Sequence, residues 1–119
     1  MNITIKSTGH DLSGASRALI EEKMGALEKL MSEGEVASLA CEIEESVSVE
    51  RAGAKYRAEG NLNVNGKLFR AEAMGITLEE AVDAVRDELL REVKHSKGKA
   101  RHLFRRGGAA IKNMLRFDK

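Results

Sequence analysis

The sequence predicts an α+β domain built as one four-stranded mixed sheet with two helices packed on one face, in the order β-α-β-β-β-α. Three observations predict it. Segments of period-two hydrophobicity are interleaved with two segments of helical period. An Asn-Gly pair joins two of the alternating segments. A chain of 119 residues can bury one core but has little room for a second.

Asn2 to Lys6 alternates, with Ile3 and Ile5 on one face, and reads as a short strand followed by a turn at Gly9-His10-Asp11. Ser13 is placed to cap a helix in which Ile20, Met24, Leu27 and Met31 recur at helical spacing, while Arg17, Glu21, Glu28 and Lys29 fall on more polar sides; Gly34 closes it. Ala37, Leu39, Cys41, Ile43, Val47 and Val49 keep a period of two broken only by Glu45, with Glu42 and Glu44 on the opposite face, which describes a long strand with one wet side. After a connection at Ala52-Gly53, Tyr56, Ala58, Gly60, Leu62 and Val64 alternate against Arg57, Glu59, Asn61 and Asn63.

Asn65-Gly66 tolerates the positive φ that both central residues of a type I′ turn require. The resulting hairpin register sets Val64 against Lys67, Leu62 against Phe69, Gly60 against Ala71 and Ala58 against Ala73. Thr77 and Glu80 form a capping box at the start of a long helix, whose residues Leu78, Val82, Val85, Leu89 and Val93 make one apolar stripe. Past Val93 the stripe gives way to cations, so the last turns are expected to project beyond the core and to end near Gly98. The first strand-helix-strand unit should cross over right-handed to make a parallel pair, and the later strands an antiparallel meander. The expected organisation is a domain over residues 1–104 and a basic, glycine-hinged tail over 105–119.

Composition removes several classes of function. No apolar run approaches the roughly 20 residues that cross a bilayer, and Met1-Asn2-Ile3-Thr4 has no signal-peptide character, so a cytoplasmic protein without a membrane partner is expected. Cys41 is the sole cysteine and, lying in an alternating apolar segment, reads as a small buried hydrophobe. With no proline there is no rigid linker, and with no tryptophan, one tyrosine and three phenylalanines a base-stacking sheet is disfavoured. His10, His95 and His102 have no HExxH or Cys-His company, and neither Thr8-Gly9-His10 nor Gly107-Gly108 carries the phosphate-loop lysine. Glu42, Glu44 and Glu45 alternate on an open strand face as solvated acids do. No nucleophile-base pair is readable, so no catalytic residue, cofactor or metal is expected, and the protein is not read as an enzyme.

Near-neutral overall charge hides an asymmetry. Met1 to Val85 holds 9 Lys and Arg against 15 Asp and Glu, whereas Arg86 to Lys119 holds 11 against 4. Within that basic end Arg91, Lys94, Lys97, Lys99, Arg101, Arg105 and Arg106, with His95 and His102, are interrupted only by Glu92. A helix rising about 1.5 Å per residue can match such cations to phosphates along a strand, with counterion release making affinity fall steeply with salt. The same run also fits a solvated helix face, or cations stabilising a helix C-terminus. The tail beyond Gly107-Gly108 carries Ile111, Met114, Leu115 and Phe117 among Lys112 and Arg116, a short run suited to folding on RNA, or to docking on the domain or on a membrane surface.

Asn2-Ile3-Thr4-Ile5, Thr8-Gly9-His10, Ser13, Ala15-x-Arg17, Glu22-Lys23 and Leu27-Glu28-Lys29 resemble the first strand and helix of the ribosome hibernation promoting factor and ribosome-associated translation inhibitor family. Glu80-Ala81-Val82-Asp83 and Leu89-x-Arg91, with Lys94 and Lys97, resemble its basic second helix, so the likeness runs from Met1 to about Arg101. It implies a fold like that of double-stranded-RNA-binding domains. It also implies a site in the mRNA and tRNA channel of the small ribosomal subunit, against rRNA and neighbouring ribosomal proteins; no DNA partner is expected, and the free protein is expected to be a monomer. There it would inhibit translation and protect idle ribosomes in stationary phase or stress. Residue by residue it points to Lys23, Arg91, Lys94, His95 and Lys97 as RNA contacts; charge alone adds Arg86, Lys99, Arg101, Arg105 and Arg106. Two departures are visible: the chain stops before the further domain of the family's long members, and its tail is basic where the inactivating short type is acidic. Two other readings stay open, a general structured-RNA binder and a protein-interaction module using the open sheet face around Arg57 and Arg70.

Overall fold

The computed structural model describes residues 1–9, 11–45 and 55–106, with 100–106 described by their helical backbone. The elements run β1 (Asn2–Thr8), α1 (Gly14–Gly25), a 3₁₀ turn (Ala26–Leu30), β2 (Ala37–Glu45), β3 (Tyr56–Val64), β4 (Lys67–Gly75) and α2 (Leu78–Arg106). The four strands lie in the order β1-β2-β3-β4, β1 parallel to β2 and the other pairs antiparallel. Both helices cover one face, and the α+β class read from the hydrophobic pattern is the one observed.

The hairpin between β3 and β4 has the register set by its turn. Val64 faces Lys67, Leu62 faces Phe69, Gly60 faces Ala71 and Ala58 faces Ala73. Asn65 and Gly66 take φ of 51° and 89°, the left-handed pair that a type I′ turn demands. Asn65 also fastens the turn to the start of β2, accepting from Val36 N at 2.8 Å on its side-chain Oδ1 and donating its own N–H to Val36 O at 2.9 Å.

Side chains alternate cleanly on β2, where Leu39, Cys41 and Ile43 are buried while Ser38, Ala40, Glu42 and Glu44 are exposed. They join Ala58, Leu62, Val64, Phe69 and Ala71 beneath Ile20, Met24 and Leu27 of the first helical segment and Ala81, Val82, Val85, Leu89 and Val93 of α2. Gly60 sits where α2 crosses closest: a Cβ there would lie 2.9 Å from Val85 Cγ1 and 3.0 Å from Leu89 Cδ1.

Three boundaries differ from the sequence reading. The first helix does not continue to Gly34; it ends at Gly25 and tightens into the 3₁₀ turn, a common way for a helix to finish. The tightening still buries Leu27, whereas Met31 is already extended. β1 runs on to Thr8 because its parallel ladder with β2 continues to Thr8 opposite Glu44, although Ser7 and Thr8 carry no apolar signal. α2 does not stop near Gly98 but reaches Arg106, two residues into the stretch expected to be tail. His10, Val47, Val49, the Ala52-Gly53 connection and residues 107–119 fall outside the described residues.

Both helix caps form as expected. Ser16 N donates to Ser13 Oγ at 3.1 Å, and Glu80 N donates to Thr77 Oγ1 at 3.1 Å. Of the Thr77-Glu80 box, the hydroxyl half forms among the described residues.

Candidate nucleic-acid interface

α2 is two helices in charge and one in backbone. Over Leu78–Leu90 Glu79, Glu80, Asp83, Asp87 and Glu88 outnumber Arg86; from Arg91 to Arg106 seven cations stand against Glu92. Acids at the N-terminus and cations at the C-terminus both lie in their favoured places on the helix dipole. The division also follows the packing. Val93 is the last buried side chain among the described residues, and at about 1.5 Å per residue the helical backbone carries on some 20 Å past it.

The predicted cations separate into committed and uncommitted groups. Lys23 of α1 lies between two acids of α2, its Nζ 3.2 Å from Glu79 Oε1 and 3.1 Å from Asp83 Oδ1. Asp83 first, then Glu79, raises the lysine's pKa above its ordinary value, so this ammonium serves as a clamp between the helices. Arg86 is engaged by Asp83 at 3.3 Å and Asp87 at 2.9 Å. Lys97 turns towards the loop before β2, where its Nζ meets Glu35 Oε1 at 2.5 Å and Ser32 Oγ at 3.0 Å. That ammonium, followed by the Ser32 N–H, holds the Glu35 carboxyl below the usual carboxylate range. Arg91 pairs with Glu88 one turn earlier, but with its side chain 71% exposed it can exchange that partner for a phosphate at little expense.

Lys94, His95 and Lys99 are exposed and have no ionic partner among the described residues. On helical geometry Arg91, Lys94, His95 and Lys99 are linked by steps of three and four residues and form one patch on the outer surface. Arg101, Arg105 and Arg106 extend the helix beyond it; their side chains lie outside the described groups.

A further cation meets α2 from outside the basic run. Lys67, at the start of β4, donates from Nζ to Ser96 Oγ at 2.8 Å, so the hairpin brings a lysine to α2 at Ser96, one turn before Lys99. The available signal was Ser96 itself, three residues past Val93 and seven past Leu89, which continues the sheet-facing stripe with a hydroxyl.

The opposite, open face of the sheet is a closed ionic network. Arg57 reaches Glu72 at 2.7 Å, Glu59 at 2.9 Å and Glu44 at 3.8 Å, while Arg70 reaches Glu59 at 2.8 Å. Glu59 is only 8% exposed. Burial pushes its carboxyl up, but Arg57, Asn61 and Arg70 outweigh that and hold it below its ordinary value. The Glu72 carboxylate in turn raises the Arg57 guanidinium. A guanidinium so fully engaged is poorly placed to receive an outside ligand. Among the described residues no helix is long and apolar enough to cross a membrane.

The solved structure of the Thermus thermophilus Protein Y N-terminal domain is similar, with a TM-score of 0.68 at 24% identity over 80% of this chain and 98% of that one. A ribosomal subunit interface protein from Coxiella burnetii is similar with a TM-score of 0.65 at 20% identity over 82% of this chain and 99% of that one. At such identities these likenesses bear on the fold. No curated protein sequence matches the chain. Residues 3–101, spanning every element from β1 into the basic half of α2, match the model of a family described as sigma 54 modulation protein / S30EA ribosomal protein, and the chain belongs to that family.

Proposed function

We propose that the protein is a non-catalytic ribosome hibernation factor. It binds the small ribosomal subunit in the channel for mRNA and tRNA, blocks translation sterically, and protects idle ribosomes during stationary phase or stress. The observation that carries the RNA-binding part is the uncommitted patch of Lys94, His95 and Lys99 on a helix that has outrun its core. Arg91 can join it, and Arg101, Arg105 and Arg106 prolong it along the same helix. Lys23, Arg86 and Lys97 support the surface through intramolecular pairs. Family membership, with the name of the Coxiella burnetii ribosomal subunit interface protein, supports reading this surface as one that meets the ribosome in a cytoplasmic setting. In this reading the free protein is a monomer, and residues 105–119 act as an extension of the RNA-binding end.

A protein-interaction role for the open sheet face is less favoured, because Arg57 and Arg70 are already paired there. The test is co-sedimentation with purified small subunits across a salt series, comparing the intact protein with a Lys94→Glu, Lys99→Glu double variant. Lys99 is preferred to Lys97 in this variant because a glutamate at 97 would face Glu35 and disturb the fold. The proposal expects the intact protein to pellet with the subunit, with a steep loss on raising salt, and the variant to remain in the supernatant. Equal pelleting of both, or of neither at low salt, refutes it. A structured RNA duplex as competitor separates the general RNA binder, which it would displace completely.

A further inference from the structure

We infer that Lys67 belongs to the phosphate-binding surface, so that the interface is composite, made by the tip of the β3-β4 hairpin together with the basic half of α2. This rests on the RNA-binding reading above and adds a contact from a second element, 29 residues from Ser96 in sequence.

The geometry supports it in three ways. The ammonium of Lys67 stands 2.8 Å from Ser96 Oγ, and helical spacing places Lys99 one turn beyond Ser96 on the same side of α2. A phosphodiester group at this point would meet two ammonium groups, Lys67 and Lys99, and a hydroxyl. Next, the lysine forms no ion pair among the described residues, although Glu92 lies one turn before Ser96. Lys23, Arg86 and Lys97, by contrast, are each held by carboxylates.

The third support is preorganisation. The Asn65-Gly66 turn is bound to Val36 through both Asn65 N and Asn65 Oδ1, and Gly66 N donates to Asn63 Oδ1 at 2.8 Å. The Lys67 Nζ also lies 5.6 Å from the centre of the Phe69 ring, on the helix side of the sheet. A cation already held in place loses less side-chain freedom on binding than one on a loose loop. Turn, stem and helix together present Lys67 beside α2, where a phosphate tracking the helix surface would pass.

The experiment measures binding of the full chain to purified small subunits across a potassium chloride series, with Lys67→Gln, Lys67→Arg and Lys94→Gln variants. Each is first shown to melt as the parent does. Loss of one phosphate contact lowers the slope of log affinity against log salt by about 0.7–0.9, which corresponds to a loss of about five- to eightfold at 0.1 M salt. Lys67→Gln is expected to show this change and Lys67→Arg to restore the slope. If Lys94→Gln lowers the slope while Lys67→Gln leaves both slope and affinity unchanged, the composite surface is overturned and the RNA-binding reading stands. If Lys67→Gln weakens binding without altering the slope, Lys67 acts only by pinning the hairpin to the helix, and the inference is again overturned. An intact protein that shows no salt-dependent binding refutes the RNA reading and this contact with it.

Discussion

Lys97 stands in the middle of the basic run, yet its contacts are those of a latch. Replacing it by methionine keeps the aliphatic stem and removes the ammonium that Glu35 and Ser32 share. Exposed ion pairs contribute about 0.2–1 kcal/mol. Hydrogen bonds to charged groups reach about 1.5–3 kcal/mol when solvent is excluded. The two side chains here are 24% and 21% exposed, so the pair belongs between these cases, and Lys97→Met is expected to destabilise by about 1 kcal/mol. In a domain of about 100 residues that is a drop in Tm of about 4–8 °C.

Because Glu35 has its pKa lowered in the fold, its contribution is present above the ordinary carboxylate value and fades as pH falls through the lower folded value. The melting difference between parent and variant should therefore be constant near neutrality and shrink in acid. The salt slope for subunit binding should remain that of the parent, since no phosphate contact is removed. Unchanged stability together with a slope lowered by about 0.7–0.9 would show that Lys97 touches phosphate and that the latch is incidental.

Other expectations concern the core on which the proposed interface is built. Gly60→Ala drives a methyl against Val85 and Leu89 at 2.9 and 3.0 Å and should cost about 1–2 kcal/mol, read by thermal or urea melting. Gly75→Ala should cost more, because its Cβ would lie 2.6 Å from Ala81 N and 3.0 Å from Thr77 O, and backbone at a helix start cannot swing aside as a leucine tip can. The reverse order of these two losses would contradict the close approach seen at Gly75. Burial pushes the Cys41 thiol up to about 12, so a thiol reagent at neutral pH should label it only on unfolding, and rapid labelling of the native protein would contradict its burial.

Elements governed by local rules were legible in the sequence. The Asn65-Gly66 turn fixed the register of a whole hairpin, Ser13 and Thr77 marked helix starts, and the stripe from Leu78 to Val93 identified the covering face of α2. Where tertiary structure decides, the pattern misled or fell silent. Nothing apolar announced that β1 would follow β2 to Thr8, and the spacing of Leu27 and Met31 fits an α-helix as well as the 3₁₀ turn and extended exit that form.

The same distinction runs through the proposed binding surface. Charge composition located the basic end of α2, but it could not tell a cation that faces solvent, such as Lys94, from one folded onto Glu35 or lodged between Glu79 and Asp83. The partner of Lys97 is 62 residues away in sequence, and Lys67 lies 29 residues from Ser96. Such pairings follow from the crossing of helix and sheet, which no local spacing encodes.

The central claim is that the protein occupies the path of messenger RNA on the small subunit, and direct competition tests it. A labelled unstructured messenger oligonucleotide is bound to purified small subunits, and the protein is titrated in. The account predicts mutually exclusive binding, with the label released in step with protein uptake and retained when the Lys94→Glu, Lys99→Glu variant is used. A stable complex holding subunit, messenger and intact protein together would contradict it.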